Sequence, residues 1–396
     1  MAWPVDAQRG GRVGEHGSMD ALEARLVIER FGEQVDAAQR AAVPSKPWVR
    51  SAVRRAGAPR CPVRLRRLSY DVILRHGDAL ADLFVAYPDD VVHVAPYDMF
   101  VGYWPPGSVE PPDPVRLLTE DTTWVDEWGT GWQHAVGGSG ASPTSTPIGS
   151  WGDLPHFMAS RMPDPWAPGR FDAALKVVAA FGPTHYLAGT THQAIWERYA
   201  QLRGVENAFE DLLSGGVESG RLLDELVEYQ VGLIERWGSL GDVDAVFLTD
   251  DWGSQRSLLI APETWRRVFA PRYRRLFTAA HDRDLDVIFH SCGNVAAILG
   301  DLVDLGVDVI DPLQSEALDL AWVAREFGGR VAFAGGLPEQ TLPTLTPAEV
   351  RDAVHQLVDL LGAPFDNALI LAPSNTLLAD VPLANLEALF EACHAA

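Results

Sequence analysis

The pattern that most constrains the fold of this chain is a set of eight short apolar runs, most of which are followed by an amphipathic run. Short runs rich in β-branched and aromatic residues are typical of strands, and apolar spacing of three and four residues is typical of helices. The predicted strands are residues 61–66, 91–95, 184–189, 244–249, 286–290, 307–311, 331–335 and 368–372. The predicted helices are residues 68–86, 193–213, 217–237, 262–282, 295–305, 316–327, 347–361 and 383–392.

Alternating strands and helices favour a parallel sheet in an α/β protein, and eight such units that close on themselves form a (β/α)8 TIM barrel. The alternative is a doubly wound open sheet. It is disfavoured because no Gly-x-Gly-x-x-Gly turn follows the first predicted strand. The sequence therefore predicts a barrel, with residues 1–59 as an N-terminal extension and helix and residues 60–396 as the barrel itself.

Composition narrows the class of function. The chain has 396 residues, of which 47% are hydrophobic, and it carries a net charge of −22, which disfavours nucleic acid and anionic membranes as partners. No apolar run approaches the ~20 residues of a membrane span, and the start lacks a signal-peptide pattern. Its three scattered cysteines do not form a disulfide framework. A cytoplasmic enzyme with a small-molecule substrate is expected.

One region interrupts the alternation after the second predicted strand. Residues 98–170 are rich in Gly, Pro, Ser and Trp, and residues 117–130 have the pattern of a β-hairpin. Because active sites of barrels lie at the carboxyl ends of the strands, an insertion of this length is expected to cap that end. The basic stretch from Arg50 to Arg67 has two interpretations, a set of internal or solvated ion pairs or an anion-binding entrance.

The chemistry of the chain is concentrated where predicted strands end. His290 and Cys292 lie two residues apart, so they are expected to share a face, and zinc accepts both ligand types. Two ligands do not establish a metal site, since a buried thiol and a hydrogen-bonded imidazole are also common. Asp250 and Asp251 follow the preceding strand and could supply a carboxylate ligand, a general base or a helix cap.

These positions give a predicted site. The predicted catalytic residues are Asp250, Asp251 and His290, and the predicted metal ligands are His290, Cys292 and Asp250, with Asp251 as the other acid that could approach. Other strand-end residues are predicted to bind substrate, namely Tyr97, His192, Gln255, Gln314, Ser374 and Asn375.

Several of these segments resemble the uroporphyrinogen decarboxylase superfamily, and more narrowly its branch of corrinoid- and cofactor-thiol-dependent methyltransferases. They are His-Ser-Cys-Gly-Asn-Val at 290–295, Gly-Val-Asp-Val-Ile-Asp-Pro-Leu-Gln at 306–314, Phe-Ala-Gly-Gly-Leu at 333–337, Leu-Ala-Pro-Ser-Asn at 371–375, Asp-Asp-Trp-Gly-Ser-Gln at 250–255 and Asp-Val-Pro at 380–382. The resemblance covers roughly residues 60–393 and implies a (β/α)8 barrel.

The resemblance also implies a zinc site, but this sequence departs from the family pattern at the third protein ligand. His290 and Cys292 correspond to zinc ligands of the methyltransferase branch, whose third protein ligand is typically a cysteine after the last strand. Ser374 and Asn375 stand in that area here, which implies weaker zinc binding. Family decarboxylases carry Pro-x-Trp-x-Met-Arg-Gln-Ala-Gly-Arg near the N-terminus, and the nearest stretch, residues 47–57, departs from that spacing.

The function implied is transfer of a methyl group between a small-molecule donor or thiol and a corrinoid. No corrinoid-binding motif is present, so the corrinoid is expected on a partner protein. The alternatives are a metal-independent decarboxylase or lyase that acts on an organic acid or tetrapyrrole, and a barrel that binds a ligand without catalysis. A homodimer is expected, because barrels of this superfamily often pair and exposed tryptophan-rich surfaces tend to be covered.

Overall fold

The computed structural model describes residues 20–96, 115–136 and 140–396. One sheet contains the strands β1 (Val91–Val94), β5 (Tyr186–Thr191), β6 (Ala245–Thr249), β7 (Asp286–His290), β8 (Val309–Leu313), β9 (Ala332–Leu337) and β10 (Leu369–Pro373). All neighbours in this sheet are parallel and follow chain order. For each of these seven strands, both ends lie within two residues of the predicted ends.

The eighth position of the barrel is filled by residues 62–65. Val63 forms a parallel bridge to Leu371 of β10. The carbonyl of the same Val63 accepts the amide of Asp90, which directly precedes β1, at 2.8 Å. This segment therefore joins the last strand to the first, and the predicted (β/α)8 barrel is confirmed.

The first predicted strand, residues 61–66, forms only this bridge. The carboxylate of Asp90 accepts the amide of Val63 at 2.8 Å, and the carboxylate of Asp89 accepts the amides of Leu65 and Arg66 at 2.7 and 2.8 Å. Because side chains take the amides that a ladder would use, regular pairing with β1 does not extend along the segment.

Helices surround the barrel and precede it. They are α1 (Ala21–Ala41), α2 (Lys46–Val53), α3 (Tyr70–Ala86), α4 (Arg116–Thr119), α5 (Leu154–Ser160), α6 (Asp172–Phe181), α7 (Trp196–Arg203), α8 (Val205–Ser214), α9 (Val217–Gly238), α10 (Pro262–Val268), α11 (Ala270–His281), α12 (Ala296–Leu305), α13 (Leu320–Phe327), α14 (Pro347–Leu357) and α15 (Leu383–Ala395). Throughout the described ranges, these helices all fall short of the apolar length that a bilayer crossing requires.

Helix α2 closes the amino-terminal end of the barrel. Val49 and Val53 pack into the cluster of side chains that fills the barrel interior. Arg50 pairs with Asp244, which precedes β6, and Arg54 pairs with Asp286 at the start of β7. This half of the basic stretch thus forms ion pairs at the end of the barrel opposite to the carboxyl ends of the strands.

The insertion contains a small antiparallel sheet of β2 (Thr122–Val125), β3 (Gly131–His134) and β4 (Ser142–Ser145). The hairpin predicted at residues 117–130 begins later, because residues 116–119 are helical and Asp126 accepts the amides of Trp128 and Thr130 to form the turn. Asp126 pairs with Arg198 of α7, the helix that follows β5. Coverage of the barrel mouth by residues 98–170 stays a prediction, since residues 98–114 lie outside the described ranges.

Candidate active site

Polar side chains converge at the carboxyl ends of β7, β8 and β6, as barrel geometry requires. His290 is the last residue of β7 and is only 4% exposed. Its Nδ1 lies 2.5 Å from Oδ1 of Asp311 on β8. Because Asp311 is also paired with Arg64, it acts as the acceptor, and we infer that Nδ1 carries the proton and Nε2 presents a lone pair.

Cys292 and Asp251 stand on the Nε2 side of His290. The Sγ of Cys292 lies 3.3 Å from Nε2 of His290. Oδ1 of Asp251 lies 3.9 Å from Nε2 and accepts the amide of Cys292 at 2.8 Å. The three ligand atoms all lie within 4.8 Å of one another, so nitrogen, sulfur and oxygen donors surround one point.

The two adjacent acids after β6 have different roles. Asp250 is fully buried, and its carboxylate accepts the amides of Ile195, Trp196 and Glu197 at 2.8–2.9 Å. It also accepts the hydroxyl of Tyr273 at 2.5 Å. Asp250, predicted as a metal ligand or general base with a helix cap as the alternative, therefore binds the amino-terminal turn of α7. The structure brings Asp251 to His290 and Cys292 instead.

Backbone contact fixes the loops that carry these ligands. The amide of Gly253 donates to the carbonyl of Cys292 at 3.1 Å. A Cβ on Gly253 would lie 2.5 Å from that carbonyl oxygen, and Gly293 has a φ of +81°. Larger residues at these two positions would force the loops after β6 and β7 apart.

Among the predicted substrate-binding residues, Asn375 lies beside the cluster, with its Nδ2 4.0 Å from Sγ of Cys292. Gln314 accepts the amide of Gly293 at 2.8 Å, and buried Ser374 donates to the carbonyl of Leu337 at 2.6 Å, so both hold loops in place. His192 is half-buried, and burial lowers its pKa to about 4.

Two other predicted residues are not placed at the cluster. Gln255 lies on the exposed loop after β6. Tyr97 lies outside the described residues.

Sequence reasoning missed two arginines at the mouth as site residues. Nη2 of Arg64 donates to Oδ2 of Asp311 at 2.5 Å, and Nη1 lies 3.0 Å from Nε2 of His93. Arg67 places its guanidinium nitrogens 3.4 and 3.5 Å from the ring nitrogens of His290. Both residues belong to the basic stretch, and their contacts with the buried carboxylate of Asp311 are internal ion pairs, the first of its two interpretations.

Charges determine the protonation of the acidic groups. Burial alone would raise the pKa of Asp311, but Arg64, His290 and Arg67 together hold it well below its ordinary value. Burial, reinforced by the Asp251 carboxylate, holds the pKa of the Cys292 thiol well above its ordinary value. A cation bound at this point would reverse that shift, because a coordinating thiol is deprotonated.

Comparison with known proteins identifies relatives of the fold. The family model described as uroporphyrinogen decarboxylase (URO-D) matches residues 161–396, more than half of the chain. Comparison with curated protein sequences gives no significant match.

The structure is similar to a methyltransferase from Methanosarcina mazei, with a TM-score of 0.64 and 16% identity over 89% of this chain and 99% of that one. It is more distantly similar to an endo-β-1,4-xylanase from Gloeophyllum trabeum, with a TM-score of 0.38 and 14% identity over 56% of this chain and 80% of that one. At 16% identity, the similarity to the methyltransferase concerns the fold alone.

Proposed function

The chain belongs to the uroporphyrinogen decarboxylase family, and we propose that it is a methyltransferase that moves a methyl group between a small-molecule donor or thiol and a corrinoid carried by a partner protein. The observation that carries this proposal is the meeting of Asp251, His290 and Cys292 within 4.8 Å. Three protein ligands with a fourth position for substrate are typical of catalytic zinc. The methyltransferase from Methanosarcina mazei, which shares the fold, is consistent with it.

The residues present fit a zinc ion. His290 offers Nε2, because its Nδ1 is bound to Asp311, and a carboxylate on the second ring nitrogen is the usual support of a zinc-bound histidine. Cys292 offers sulfur and Asp251 offers oxygen. Zinc bound here would stabilise a substrate thiol as its thiolate, which is the nucleophile in methyl transfer.

The chain's own side chains define where a substrate can lie. Asn375 is exposed beside the sulfur of Cys292, and Arg67 is partly exposed beside the His290 ring. A substrate that approaches the open side of the cluster would contact these two residues. The thiolate sulfur would form its bond to the methyl carbon, and the electron pair of the broken carbon–cobalt bond would stay on the corrinoid of the partner.

The proposal is tested by metal content and activity together. Protein purified without a His tag is expected to contain zinc by mass spectrometry and to consume methylcobalamin in the presence of a thiol. Cys292→Ala is expected to lose both properties while the barrel remains folded. Cys61→Ala, which removes a buried thiol beside Asn367, just before β10, is the control. Metal-free protein with a fully active Cys292→Ala variant would refute the proposal.

A decarboxylase is the second candidate, and the first barrel segment favours it. The family signature begins Pro-x-Trp-x-Met-Arg, and Pro62 and Arg67 retain its first and sixth positions. The stretch at residues 47–57, by contrast, contributes to helix α2 at the opposite end of the barrel. Arginines at the mouth suit a substrate carboxylate. Carbon dioxide release from an organic acid, retained in Cys292→Ala, would identify this activity.

A further inference from the structure

We propose that Arg64 is a positioning residue that aims the lone pair of His290 at the ligand cluster by acting through Asp311. Three contacts connect the side chains in series. Nη2 of Arg64 lies 2.5 Å from Oδ2 of Asp311, and Oδ1 of Asp311 lies 2.5 Å from Nδ1 of His290. Nε2 of His290 then lies 3.3 Å from Sγ of Cys292.

The series is rigid because it is buried. Arg64 is 3% exposed, Asp311 is 1% exposed and His290 is 4% exposed. A buried charge pair is a poor source of stability, because desolvation offsets most of the attraction. Stability therefore does not explain why the Arg64–Asp311 pair is buried at the mouth of the barrel. The orientation of His290 does explain it.

The guanidinium of Arg64 is itself fixed at its other end. Nη1 lies 3.0 Å from Nε2 of His93, and the guanidinium carbon lies 5.7 Å from the ring centre of Phe247. The buried Nε of Arg64 has no hydrogen-bond partner in the described part of the chain. The arginine therefore donates hydrogen bonds to Asp311 and His93, while its own Nε donor is left without a partner among the described residues.

Fixing both oxygens of Asp311 selects one form of the imidazole. With Oδ2 bound to Arg64, the carboxylate cannot rotate, and Oδ1 stays directed at Nδ1 of His290. A neutral imidazole then keeps its proton on Nδ1 and its lone pair on Nε2, the nitrogen that faces Cys292 and Asp251. Without Arg64 the carboxylate can turn, and both the ring plane and the tautomer become variable.

The metal-related part of this inference rests on the proposed function, so its test has two independent readouts. The first is nitrogen NMR of metal-free protein with labelled histidine, in which His290→Gln assigns the ring signals. Wild-type protein is expected to show one tautomer with the proton on Nδ1, and Arg64→Met is expected to show a mixture. This readout remains decisive even if the wild-type protein binds no metal and the proposed function fails.

The second readout is the affinity for cobalt(II), followed by its absorption spectrum. Outer contacts of a metal-bound histidine typically contribute 10–100-fold, so Asp311→Asn is expected to weaken binding within that range and Arg64→Met by about tenfold. Arg60→Met is the control on the same barrel segment, since it breaks an Arg–Asp pair of 2.8–2.9 Å with Asp90 and leaves the contacts of Asp311 and His290 in place. It is expected to change neither readout.

A conservative variant covers the case in which Arg64→Met does not fold. Arg64→Lys keeps the charge but replaces the rigid, planar fork of the guanidinium with a single ammonium nitrogen, which is expected to hold the Asp311 carboxylate less firmly. Its cobalt(II) affinity is expected to lie between those of wild-type and Arg64→Met protein, with a detectable second tautomer. A single tautomer and unchanged affinity in Arg64→Lys or Arg64→Met would overturn the proposal, as would an equal loss in Arg60→Met.

Discussion

The two ends of the barrel both set arginines against aspartates, but in different surroundings. At the amino-terminal end, the side chains of Arg50 and Arg54 are 45% and 54% exposed. At the mouth, the side chain of Arg64 is 4% exposed, and its partner Asp311 is fully buried. The arginines at the amino-terminal end are therefore in contact with water, whereas the ion pair at the mouth is buried beside a histidine and a thiol.

This difference separates support of the fold from support of a site. The aspartates bound by α2 are buried but their arginines are about half exposed, so water screens these pairs, and each is expected to contribute only about 1 kcal/mol. Their main role is to fix where the helix lies over the barrel interior. A buried pair gives little net stability, yet breaking it leaves an uncompensated charge. The mouth is therefore the end where substitutions are expected to affect both stability and chemistry.

The largest effect is expected for Asp251→Asn, which removes a charged ligand from the mouth. Zinc affinity should fall by at least about 100-fold, since even outer partners of a ligand contribute 10–100-fold. Competition with a chelator measures the loss. Asp308→Asn, at the opposite end of the barrel, is the control and should bind zinc as the wild-type protein does. Unchanged zinc affinity in Asp251→Asn would exclude Asp251 as a ligand.

A smaller but direct contrast concerns stability. Arg64→Met leaves Asp311 buried without its main partner and is expected to lower the free energy of unfolding by about 3–5 kcal/mol. Arg54 is half exposed, and Asp286 would keep its hydrogen bond from the hydroxyl of Tyr186, so Arg54→Met should lower the free energy of unfolding by about 1 kcal/mol or less. Urea midpoints of the two variants measure the contrast, and equal shifts would contradict it.

The smallest effect is a pH dependence at the amino-terminal end. The hydrogen bond to Asp308 raises the pKa of His281. A raised histidine pKa stabilises the fold below the unfolded value of about 6.5, and this contribution is lost as pH rises through the folded value. The pair is partly exposed, so His281→Gln should lower the melting temperature by only about 1 °C at about pH 5.5 and by nothing at about pH 9. A difference that persists at the higher pH would contradict this assignment.

The fold could be predicted because each strand is marked by an apolar run within its own residues, and no information from distant parts of the chain is needed to recognise it. The strand at 286–290 agrees with its prediction at both ends, since β-branched and aromatic residues are bounded by clear turn residues. The segment at residues 61–66 was less predictable. The carboxylates of Asp89 and Asp90, more than 20 residues away, replace part of its ladder.

The site was only partly predictable. His290 and Cys292 could be paired because alternate residues share a face near a strand end. No such rule distinguishes Asp250 from Asp251, since the chain leaves β6 at Thr249 and turns. The position of Arg64 opposite Asp311 depends on closure of the barrel between residues 247 positions apart, which no local pattern records.

Helix α2 has a consequence for the order in which the chain can assemble. It is synthesised before the strands of the barrel, yet its arginines bind Asp244 and Asp286, which follow 194 and 232 positions later. At about 5–20 residues per second, the helix leaves the ribosome roughly 10–50 seconds before both partners exist. During that interval Val49 and Val53 have no barrel to enter. Sealing of the amino-terminal end is thus a late event in biosynthesis, and nascent chains that stop before residue 286 would present this helix to chaperones.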